Sequence, residues 1–412
     1  MTTKNNIPAG YKDSAVGIIP QEWEVKRLGN IAKCFSGGTP KSESEEMYGG
    51  TIPFIRSGEI HSDKTALFLT DDGLRKSSAK MVDVGDLIFA LYGANSGDCA
   101  ISQINGAINQ AILCIRSSSV INPFMQPYLE LQKDRFIAKY LQGGQGNLSG
   151  EIVCSYTIPI PPLAEQRKIA EILGVWDEAI EKQSRLIEKL ELRKRALMQR
   201  LLTGRTRLPG FTTPWQKVKL GEIGKFDKGV GVPKEKIVSE GCKAITYGEI
   251  YTKYNYVIKD FASYIDSDTA QTSKQISSGA IIFAGSGETL EDIGKCVAFI
   301  DNDKAYAGGD IIIFNPSIEV DSLVLSYILN SPVAIAQKRR YGQGHSVVHI
   351  YQKDLARIEF ELPSLPEQKA IAEVLTTADD EIATHRKKLD ALRLQKRGLM
   401  QQLLTGKTRV KI

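Results

Sequence analysis

The sequence has few cysteines and few histidines for its 412 residues, and neither type is clustered. The six cysteines lie far apart and form no Cys-x-x-Cys pair. This argues against a zinc ribbon or a disulfide scaffold and is typical of the reducing cytosol, so we expect a cytoplasmic location. His345 and His349 have the spacing of helical zinc ligands, but in the strand predicted there they would stand about 13 Å apart. We therefore expect no metal site.

Long apolar runs are also missing. No segment approaches about 18 uncharged apolar residues, so we expect no membrane-spanning helix and no membrane partner. The N-terminal segment lacks the apolar core of a secretory signal. The hydrophobic content of 42% and the charged content of 25% are ordinary for a water-soluble protein. The composition excludes the membrane, collagen-like, disordered and disulfide-rich classes.

The motifs of nucleotide-binding and methyl-transferring enzymes are absent as well. The sequence contains no phosphate-binding loop of the form Gly-x-x-x-x-Gly-Lys-Ser/Thr. The glycines within residues 225–231 are too few for a dinucleotide fingerprint. The Asn-Pro-Pro-aromatic loop of an amino-methyltransferase is missing, because its nearest counterparts at 122–124 and 315–317 lack the second proline. We predict that the chain is not an enzyme and binds no cofactor.

The sequence does contain an uneven distribution of charge and glycine. The net charge of the chain is +5, and the segments 163–207 and 365–412 each carry a net charge of +4. These two segments hold only four of the 36 glycines. The chain therefore consists of two glycine-rich, nearly neutral blocks that alternate with two glycine-poor, basic segments.

The two halves of the chain are copies of each other. Residues 165–207 align with residues 367–409 without a gap, with 21 identities in 43 positions. The glycine-rich blocks repeat more loosely: Trp23 matches Trp215, and Gly-Glu-Ile and Gly-Gln-Gly motifs recur at offsets between 190 and 202 residues. These matches predict a tandem duplication. The predicted order is a globular block at 1–162, a helix at 163–207, a globular block at 208–364 and a helix at 365–412.

Both basic segments are predicted to be long helices that pair as a coiled coil. Apolar side chains recur at alternating spacings of four and three, which is the seam of a coiled coil. The seam is interrupted at matching places, by Gln183 and Lys194 in the first copy and by His385 and Lys396 in the second. Polar seam residues commonly fix register and partner. The predicted interface residues are Ile169, Leu173, Trp176, Ile180, Leu190, Leu197, Leu201, Ile371, Leu375, Ile382, Leu392, Leu399 and Leu403.

The two globular blocks are predicted to be strand-rich α+β domains. Short runs of apolar and β-branched residues, bounded by Gly, Asn and Asp, are typical of strands. Such runs occur at 86–92, 111–116, 280–285 and 310–315. A helix is predicted before each Gly-Gln-Gly motif, at 123–140 and at 321–340.

Glycine-rich loops after matched elements are the best candidates for recognition of a ligand. Segments 91–98 and 284–292 follow matching strands, and segments 143–147 and 341–345 follow matching helices. Glycine lets a backbone approach a ligand closely, and the interleaved polar side chains can contact base edges or phosphates. The candidate DNA-contacting residues are Arg56, Tyr92, Asn95, Gln145, Asn147, Tyr247, Ser286, Glu288, Gln343 and His345.

With these features together, the chain resembles the specificity subunit of type I restriction–modification enzymes. Each globular block is closed by a Pro-x-Leu-x-Glu-Gln-x-x-Ile-Ala-Glu-x-Leu helix that ends in Leu-Leu-Thr-Gly. The segments 19–40, 84–97 and 159–173 are similar to the usual sequence of that family, and the resemblance covers nearly the whole chain. One departure is the loop within residues 279–294, which is longer than its counterpart in the first copy.

The resemblance implies both a fold and a function. The globular blocks would be target recognition domains that each read one half of a bipartite, asymmetric target in double-stranded DNA. The helices would be antiparallel spacers that dock two modification subunits. The modification subunits would methylate the DNA, and with restriction subunits the complex would cleave it. S-adenosylmethionine, ATP and Mg would then belong to the partner subunits.

Two other interpretations remain open from the sequence. The chain could be the detached recognition module of a fused restriction–methylation enzyme, although such an enzyme would carry the missing methyltransferase loop. It could also be a coiled-coil interaction protein without a DNA role. A steep dependence of DNA binding on salt would distinguish the recognition subunit from the latter, because phosphate contacts release counterions.

Overall fold

The computed structural model describes residues 7–41, 43–140, 148–344 and 347–412. The chain divides into two compact units, which we call unit 1 and unit 2. Unit 1 consists of residues 1–184 and 387–412, and unit 2 consists of residues 185–386. The boundary between the units therefore falls inside the two basic segments, and each unit combines one glycine-rich block with a part of both segments.

Unit 1 contains twelve strands within the ranges that the structure describes. They are β1 (Tyr11–Lys12), β2 (Ile19–Pro20), β3 (Glu24–Arg27), β4 (Ala32–Ser36), β5 (Tyr48–Ile55), β6 (Leu67–Leu69), β7 (Lys80–Val82), β8 (Leu87–Ala90), β9 (Cys99–Ile101), β10 (Gly106–Ile108), β11 (Ile112–Ser117) and β12 (Thr157–Ile160). Its helices are α1 (Asp71–Arg75), α2 (Asn122–Tyr140), α3 (Gly150–Ser155) and the first part of α4 (Leu163–Leu201).

Two four-stranded sheets form the body of unit 1. The first is antiparallel and has the strand order β4-β11-β8-β9. The second has the order β6-β5-β10-β7 and contains one parallel pair, β5 with β10. The two-stranded pairs β1-β2 and β3-β12 complete the unit.

Strand β8 shows why these residues form a buried central strand. Side chains of a strand alternate between its two faces. Leu87 and Phe89 belong to a core that includes α2, whereas Ile88 and Ala90 belong to a core that includes Ile108 of the second sheet. Because both faces are covered, the strand is a continuous apolar run rather than an alternating one.

Unit 2 repeats this architecture with small additions. Its strands are β13 (Gln216–Lys219), β14 (Gly224–Lys228), β15 (Ile237–Val238), β16 (Cys242–Ile245), β17 (Ser263–Ile265), β18 (Lys274–Ile276), β19 (Ile281–Ala284), β20 (Ser286–Gly287), β21 (Cys296–Ala298), β22 (Ala305–Ala307), β23 (Ile311–Pro316), β24 (Val348–His349) and β25 (Glu359–Leu362). Its helices are the end of α4, α5 (Tyr247–Thr252), α6 (Ser267–Thr272), α7 (Ser322–Leu329), α8 (Pro332–Tyr341), α9 (Gln352–Leu355) and the first part of α10 (Leu365–Leu403).

The strand order of unit 2 follows that of unit 1. One sheet has the order β14-β23-β19-β21, and the other has the order β15-β17-β16-β22-β18 with a parallel pair of β16 and β22. Strand β13 pairs with β25 as β3 pairs with β12, and the pair β20-β24 has no counterpart among the described strands of unit 1. The predicted fold class, two similar α+β blocks with two long helices, is confirmed.

The long helices contribute directly to the core of each unit. In unit 1, Ile169 and Leu173 of α4 and Leu403 of α10 are buried in the same core as α2. In unit 2, Leu201 of α4 and Leu375 of α10 are buried in the equivalent core beside α7. None of the helices in the described ranges is long and apolar enough to cross a membrane.

One of the two predicted helices before the Gly-Gln-Gly motifs is correct and the other is wrong. The helix predicted at 123–140 is α2. The helix predicted at 321–340 is interrupted after Leu329, so that it forms α7 and α8. The Ser331 hydroxyl accepts a hydrogen bond from the backbone N–H of Ala334, and Pro332 occupies the first turn of α8. Because proline has no backbone N–H to continue a preceding helix, this sequence starts a new one.

Candidate nucleic-acid interface

In unit 1, the loop after strand β8 is fixed by its glycines and by a neighbouring turn. Gly93 and Gly97 have φ values of +91° and +83°, a conformation that favours glycine. The side-chain amide of Asn95 donates a hydrogen bond to the carbonyl oxygen of Ser57 at 3.1 Å. Because Ser57 directly follows Arg56, the structure brings the candidates Asn95 and Arg56 into adjacent loops.

Arg56 and Tyr92 differ in their exposure to solvent. Arg56 is exposed and its Nε lies 3.2 Å from a carboxylate oxygen of Glu59. Tyr92 is half-buried against the core of unit 1, and this burial raises the pKa of its hydroxyl. The phenol therefore stays protonated at neutral pH and can donate a hydrogen bond.

In unit 2, the loop after strand β19 is paired with the segment that follows the Gly-Gln-Gly motif. Ser286 lies opposite His349 in the β20-β24 pair, and its hydroxyl is 2.9 Å from Nδ1 of that histidine. Ser286 is only 3% exposed. The hydroxyl therefore has a partner within unit 2. Its assignment as a DNA-contacting residue stays a prediction.

The other described candidates of unit 2 are exposed. Gln343 exchanges two backbone hydrogen bonds with His349, of 2.9 and 2.8 Å, and its side chain is exposed to solvent. Tyr247 begins helix α5 and is 42% exposed, and Glu288 is also exposed. The backbone pairing of residues 286–287 and 343 with residues 348–349 gathers two of the glycine-rich segments at one place. Gln145, Asn147 and His345 lie outside the described residues.

A groove beside this loop pair contains polar residues that the sequence did not single out. Its volume is about 420 Å³. It is lined by Lys228, Gly285, Ser286, Asp310, Ile311, Ile312, His349, Ile350, Tyr351, Gln352 and Lys353. Lys228 pairs with Ile312 across β14 and β23, which explains how a lysine from a distant part of the sequence reaches the groove. No local motif marks Lys228, so only the strand pairing shows that it reaches the groove.

The ends of the two glycine-rich loops after β8 and β19 are anchored by lysines that sequence reasoning also missed. In unit 1, Lys133 of α2 forms an ion pair with Asp98. In unit 2, the buried Lys338 of α8 donates a hydrogen bond to the carbonyl oxygen of Gly294 at 2.7 Å. Burial lowers the pKa of Lys338. Both lysines tie the end of a loop to the helix that packs under it.

None of the predicted helix-interface residues is fully exposed. In unit 1, Ile169, Leu173 and Leu403 are buried, and Trp176, Ile180, Leu392 and Leu399 are half-buried. In unit 2, Leu190, Leu201, Ile371, Leu375 and Ile382 are buried, and Leu197 is half-buried.

Ion pairs join the two helices in each unit, and their order in unit 2 shows that the helices are antiparallel there. In unit 1, Asp177 of α4 lies 2.5 Å from Lys396 of α10. In unit 2, Glu191 of α4 lies 2.5 Å from Arg386 of α10, and Lys194 forms an ion pair with Asp379. Later residues of α4 therefore meet earlier residues of α10. Lys194 and Lys396 were noted as seam interruptions, and their partners stand at the matching positions Asp177 and Asp379.

The seam lysine of unit 2 is enclosed by aromatic rings. Lys194 is 8% exposed, and its Nζ lies 4.4 Å from the ring centre of Tyr256 and 5.2 Å from that of Tyr327. The Tyr327 hydroxyl donates a hydrogen bond to Asp379. Burial lowers the pKa of Lys194, and its hydrogen bond to Asp379 opposes this effect. Burial and the same carboxylate raise the pKa of Tyr327.

The repeated Glu-Gln motif holds the start of α4 in unit 1. Trp23 donates a hydrogen bond to the Glu165 carboxylate at 2.9 Å, and Arg409 donates two more at 2.7 and 3.0 Å. The Gln166 amide accepts a hydrogen bond from the backbone N–H of Ile121 at 3.0 Å. The motif therefore joins the helix, the globular block and the segment after α10.

The start of α10 is held in the same way in unit 2. Trp215 donates to the Glu367 carboxylate at 2.9 Å, and Arg207 donates at 2.6 and 2.7 Å. Gln368 accepts a hydrogen bond from the backbone N–H of Asp321 at 2.8 Å. The matching tryptophans, glutamates and arginines therefore form the same hydrogen-bonded arrangement in both copies.

The described residues contain no group of three or more His, Cys, Asp or Glu side chains that could hold a metal ion. What the loops and groove offer instead is a set of exposed polar and cationic groups beside glycines. Such groups form hydrogen bonds and ion pairs, which are the interactions that proteins use on bases and phosphates.

Comparison with protein families shows which family shares this double architecture. Residues 20–192 and residues 212–394 each match the type I restriction modification DNA specificity domain. The MjaVIII type I restriction enzyme specificity subunit of Methanocaldococcus jannaschii is 25% identical over 95% of this chain and 94% of its own length. The putative MjaX specificity subunit of the same organism is 27% identical over 97% of both chains.

Solved structures of similar chains share the fold. A type I restriction–modification S subunit from M. genitalium matches with a TM-score of 0.58, at 16% identity, over 98% of both chains. A chain from a structure of type I R-M complex assembly and conformational transition matches with a TM-score of 0.59, at 18% identity, over 95% of this chain and 99% of its own. The family match covers most of both halves, so the chain belongs to the type I restriction–modification DNA specificity family. The resemblance noted from the sequence is confirmed.

Proposed function

We propose that this chain is the non-catalytic DNA-recognition subunit of a type I restriction–modification complex. The observation that carries the proposal is that the DNA specificity domain matches the chain twice, once in each similar unit. Each unit then reads one half of a bipartite target. Because the loops differ between the units while the sheets match, the two half-sites differ in sequence.

The loops and groove described above are the proposed contact surfaces. In unit 1 they present Arg56, Tyr92 and Asn95. In unit 2, Gln343 and Glu288 are exposed. Gln343 pairs through its backbone with His349, which lines the groove together with Lys353. Glutamine pairs with adenine and a carboxylate accepts from the cytosine amino group, so these side chains can distinguish base pairs. Lysines that contact phosphates supply affinity without sequence information.

The paired helices are the proposed dock for two modification subunits. Their outward faces carry exposed charged side chains and the exposed leucines Leu192 and Leu394, which occupy matching positions of the repeat. Because this exposed surface occurs once in each copy of the repeat, it can bind two copies of the same modification subunit. The modification subunits bind S-adenosylmethionine and methylate the DNA, and restriction subunits with ATP and Mg add cleavage.

A gel-shift experiment with the modification subunit present tests the proposal. We expect duplex DNA that contains the target to bind with an affinity that falls steeply between low and high salt, because each phosphate contact releases counterions. Lys353→Ala should weaken binding and reduce the salt slope by about one. Lys304→Ala, which removes an exposed charge of unit 2 that belongs neither to the groove nor to the long helices, is the matched control and should leave the slope unchanged.

The same preparation tests the absence of catalysis. The chain alone, supplied with S-adenosylmethionine and target DNA, should transfer no methyl groups, and methylation should require the modification subunit. Methyl transfer by the purified chain alone would refute the proposal, as would DNA binding that does not depend on salt.

A further inference from the structure

Unit 1 contains a cavity that the proposed recognition function does not use. Its volume is about 370 Å³, and it lies between α2, β12, the N-terminal segment around β2 and the residues that follow α10. It is lined by Ala15, Val16, Ile19, Tyr128, Gln132, Arg135, Ser155, Tyr156, Thr157, Pro159 and Thr405. No carboxylate is among these lining residues.

Two polar side chains of α2 face this cavity without a protein partner. Tyr128 is 3% exposed and Gln132 is 7% exposed, so both are more than nine-tenths buried. In the part of the chain that the structure describes, neither the Tyr128 hydroxyl nor the Gln132 amide has a hydrogen bond to another residue. Their polar atoms are not sealed inside the protein but open onto the cavity. Both groups are therefore free to form hydrogen bonds with a ligand that enters the cavity.

The positively charged Arg135 lies on the same face of α2 as these two side chains. Tyr128, Gln132 and Arg135 are spaced by four and three residues, so they share one side of α2. Helical side chains point back toward the N-terminus, which directs the guanidinium over the turn that carries Gln132. Burial raises the pKa of Tyr128, and the positive charge of Arg135 opposes this effect, which places the two groups within electrostatic reach.

In unit 2, Gln337 is an example of a glutamine whose side chain stabilises the fold. Gln337 of α8 donates a hydrogen bond to the carbonyl oxygen of Glu359 at 2.8 Å. It accepts another from the backbone N–H of Glu359 at 2.9 Å. The amide therefore ties α8 to β25. Gln132 makes no such tie between α2 and β12, so its amide is available to a ligand.

We propose that this cavity binds a small phosphorylated molecule. The phosphate lies against Arg135, Gln132 and Tyr128, whose three side chains donate to its oxygens. The guanidinium fork matches the geometry of a phosphate. The apolar side chains of Ile19 and Pro159 face the organic part. A cavity of this volume is at the small end of the range for ligand sites, so the molecule is no larger than a mononucleotide.

The same phosphate chemistry could come from the DNA backbone, but burial argues against it. Tyr128 and Gln132 are too deeply buried for a duplex to reach. A free phosphomonoester can enter a cavity that a helix of DNA cannot. The two sources are therefore separated by measuring the binding of the small molecule and of duplex DNA on the same variants.

Thermal unfolding of the full chain, titrated with inorganic phosphate and with AMP, tests the proposal. Sodium chloride at equal ionic strength is the reference for general salt effects. A ligand at about a hundred times its Kd should raise the Tm of the wild-type chain by several degrees, at least with AMP. Gln132→Leu and Arg135→Ala should each abolish this rise. Arg397→Ala, which removes an exposed arginine of unit 1 outside the cavity, should keep it.

The variants without ligand provide a second readout. Gln132→Leu should keep the Tm, because it breaks no hydrogen bond within the protein and replaces the amide with an apolar side chain of similar size. A merely structural role would lower the Tm. Gln337→Leu is the control, and it should lower the Tm because it breaks two hydrogen bonds.

Duplex binding of Arg135→Ala should equal that of the wild-type chain. The proposal is overturned if neither phosphate nor AMP shifts the wild-type Tm beyond the sodium chloride reference. It is also overturned if the shift is the same in all variants. Weaker DNA binding by Arg135→Ala, with no loss of the AMP response, would assign the arginine to DNA instead.

Discussion

Glu165 and Glu367 have the same environment in the two copies. Each carboxylate is fully buried and accepts hydrogen bonds from one tryptophan and one arginine. A buried ion pair by itself contributes little, but breaking it leaves an unpaired group that is costly. This explains why the Glu-Gln motif and the terminal arginine recur unchanged in a repeat whose loops have diverged.

Glu165→Gln should destabilise unit 1, because the amide presents a donor to Arg409 in place of a carboxylate oxygen. We expect the free energy of unfolding to fall by about 2 kcal/mol, less than for a fully buried pair, since the Arg409 side chain is 35% exposed. Tryptophan fluorescence during urea unfolding measures the change. Glu188→Gln, at an exposed position of α4, is the control. Equal stability of the two variants would contradict the role given to Glu165.

A second residue-scale prediction concerns pH. Burial raises the pKa of Glu130 above its ordinary value of 4.5, while the positive charge of Lys396 opposes this effect. The folded chain therefore keeps the proton over a pH range in which the unfolded chain has lost it. Ionised Glu130 lowers stability at pH 7, and this penalty disappears as the pH falls toward 4.5.

Glu130→Gln should therefore stabilise the chain at pH 7 and have little effect at pH 4. Urea unfolding at both pH values measures the difference. A gain of equal size at both pH values, or a loss at pH 7, would show that the charge of Glu130 is not the cause.

At the residue scale, the sequence predicts features that depend on local position and does not predict those that depend on distant parts of the chain. Lys194 and Lys396 could be recognised as polar seam residues, because their position in the heptad is local information. The Tyr256 and Tyr327 rings around Lys194 could not be predicted, since they come from a loop and a helix far away in the sequence. The burial of Ser286 also depends on a strand pair that the glycine pattern does not specify.

At the scale of elements, periodicity predicted most of what the structure contains. The apolar runs at 86–92 and 280–285 include the central strands β8 and β19, and the seam residues of α4 and α10 are buried or half-buried. The helix predicted at 321–340 was wrong because periodicity alone ignores the start signal at Ser331 and Pro332. The bounds of the compact units could not be predicted from the sequence. They fall inside α4 and α10, and the heptad pattern of a continuous helix does not change where the core of one unit ends.

The seam offers a matched pair of leucines for a test. Leu190 is 8% exposed, whereas Leu192, two residues later on the same helix, is 61% exposed. Leu190→Asp should lower the free energy of unfolding by about 3 kcal/mol or more, because it buries an unpaired charge. Leu192→Asp should change it by less than about 0.5 kcal/mol.

Circular dichroism during thermal unfolding measures the stability of both variants, and native mass spectrometry with the modification subunit measures assembly. Leu190→Asp should lose helix pairing and therefore assembly. Leu192→Asp should keep the fold, so any loss of assembly in that variant reports the outward face as the dock. Normal stability of Leu190→Asp would contradict the prediction that Leu190 is a buried residue of the seam between α4 and α10.

At the scale of the whole molecule, duplication connects the fold to the proposed function. Two units with the same strand order carry different loops, and the groups that hold each unit together match from copy to copy. The parts that repeat are therefore the framework, and the parts that drift are the surfaces proposed to read DNA. Under the proposed function, such a division would let one half of the target change while the other half is kept.

Mapping of methylated sites in cells that contain the modification subunit tests this division most directly. Arg56→Ala in unit 1 and Gln343→Ala in unit 2 each remove one exposed candidate contact. Each change should relax the sequence requirement in one half of the target only, and in different halves, by about 1–3 kcal/mol of discrimination per lost base contact. Relaxation of both halves by either single change, or methylation of the same sites without this chain, would contradict the proposal that each unit reads its own half-site.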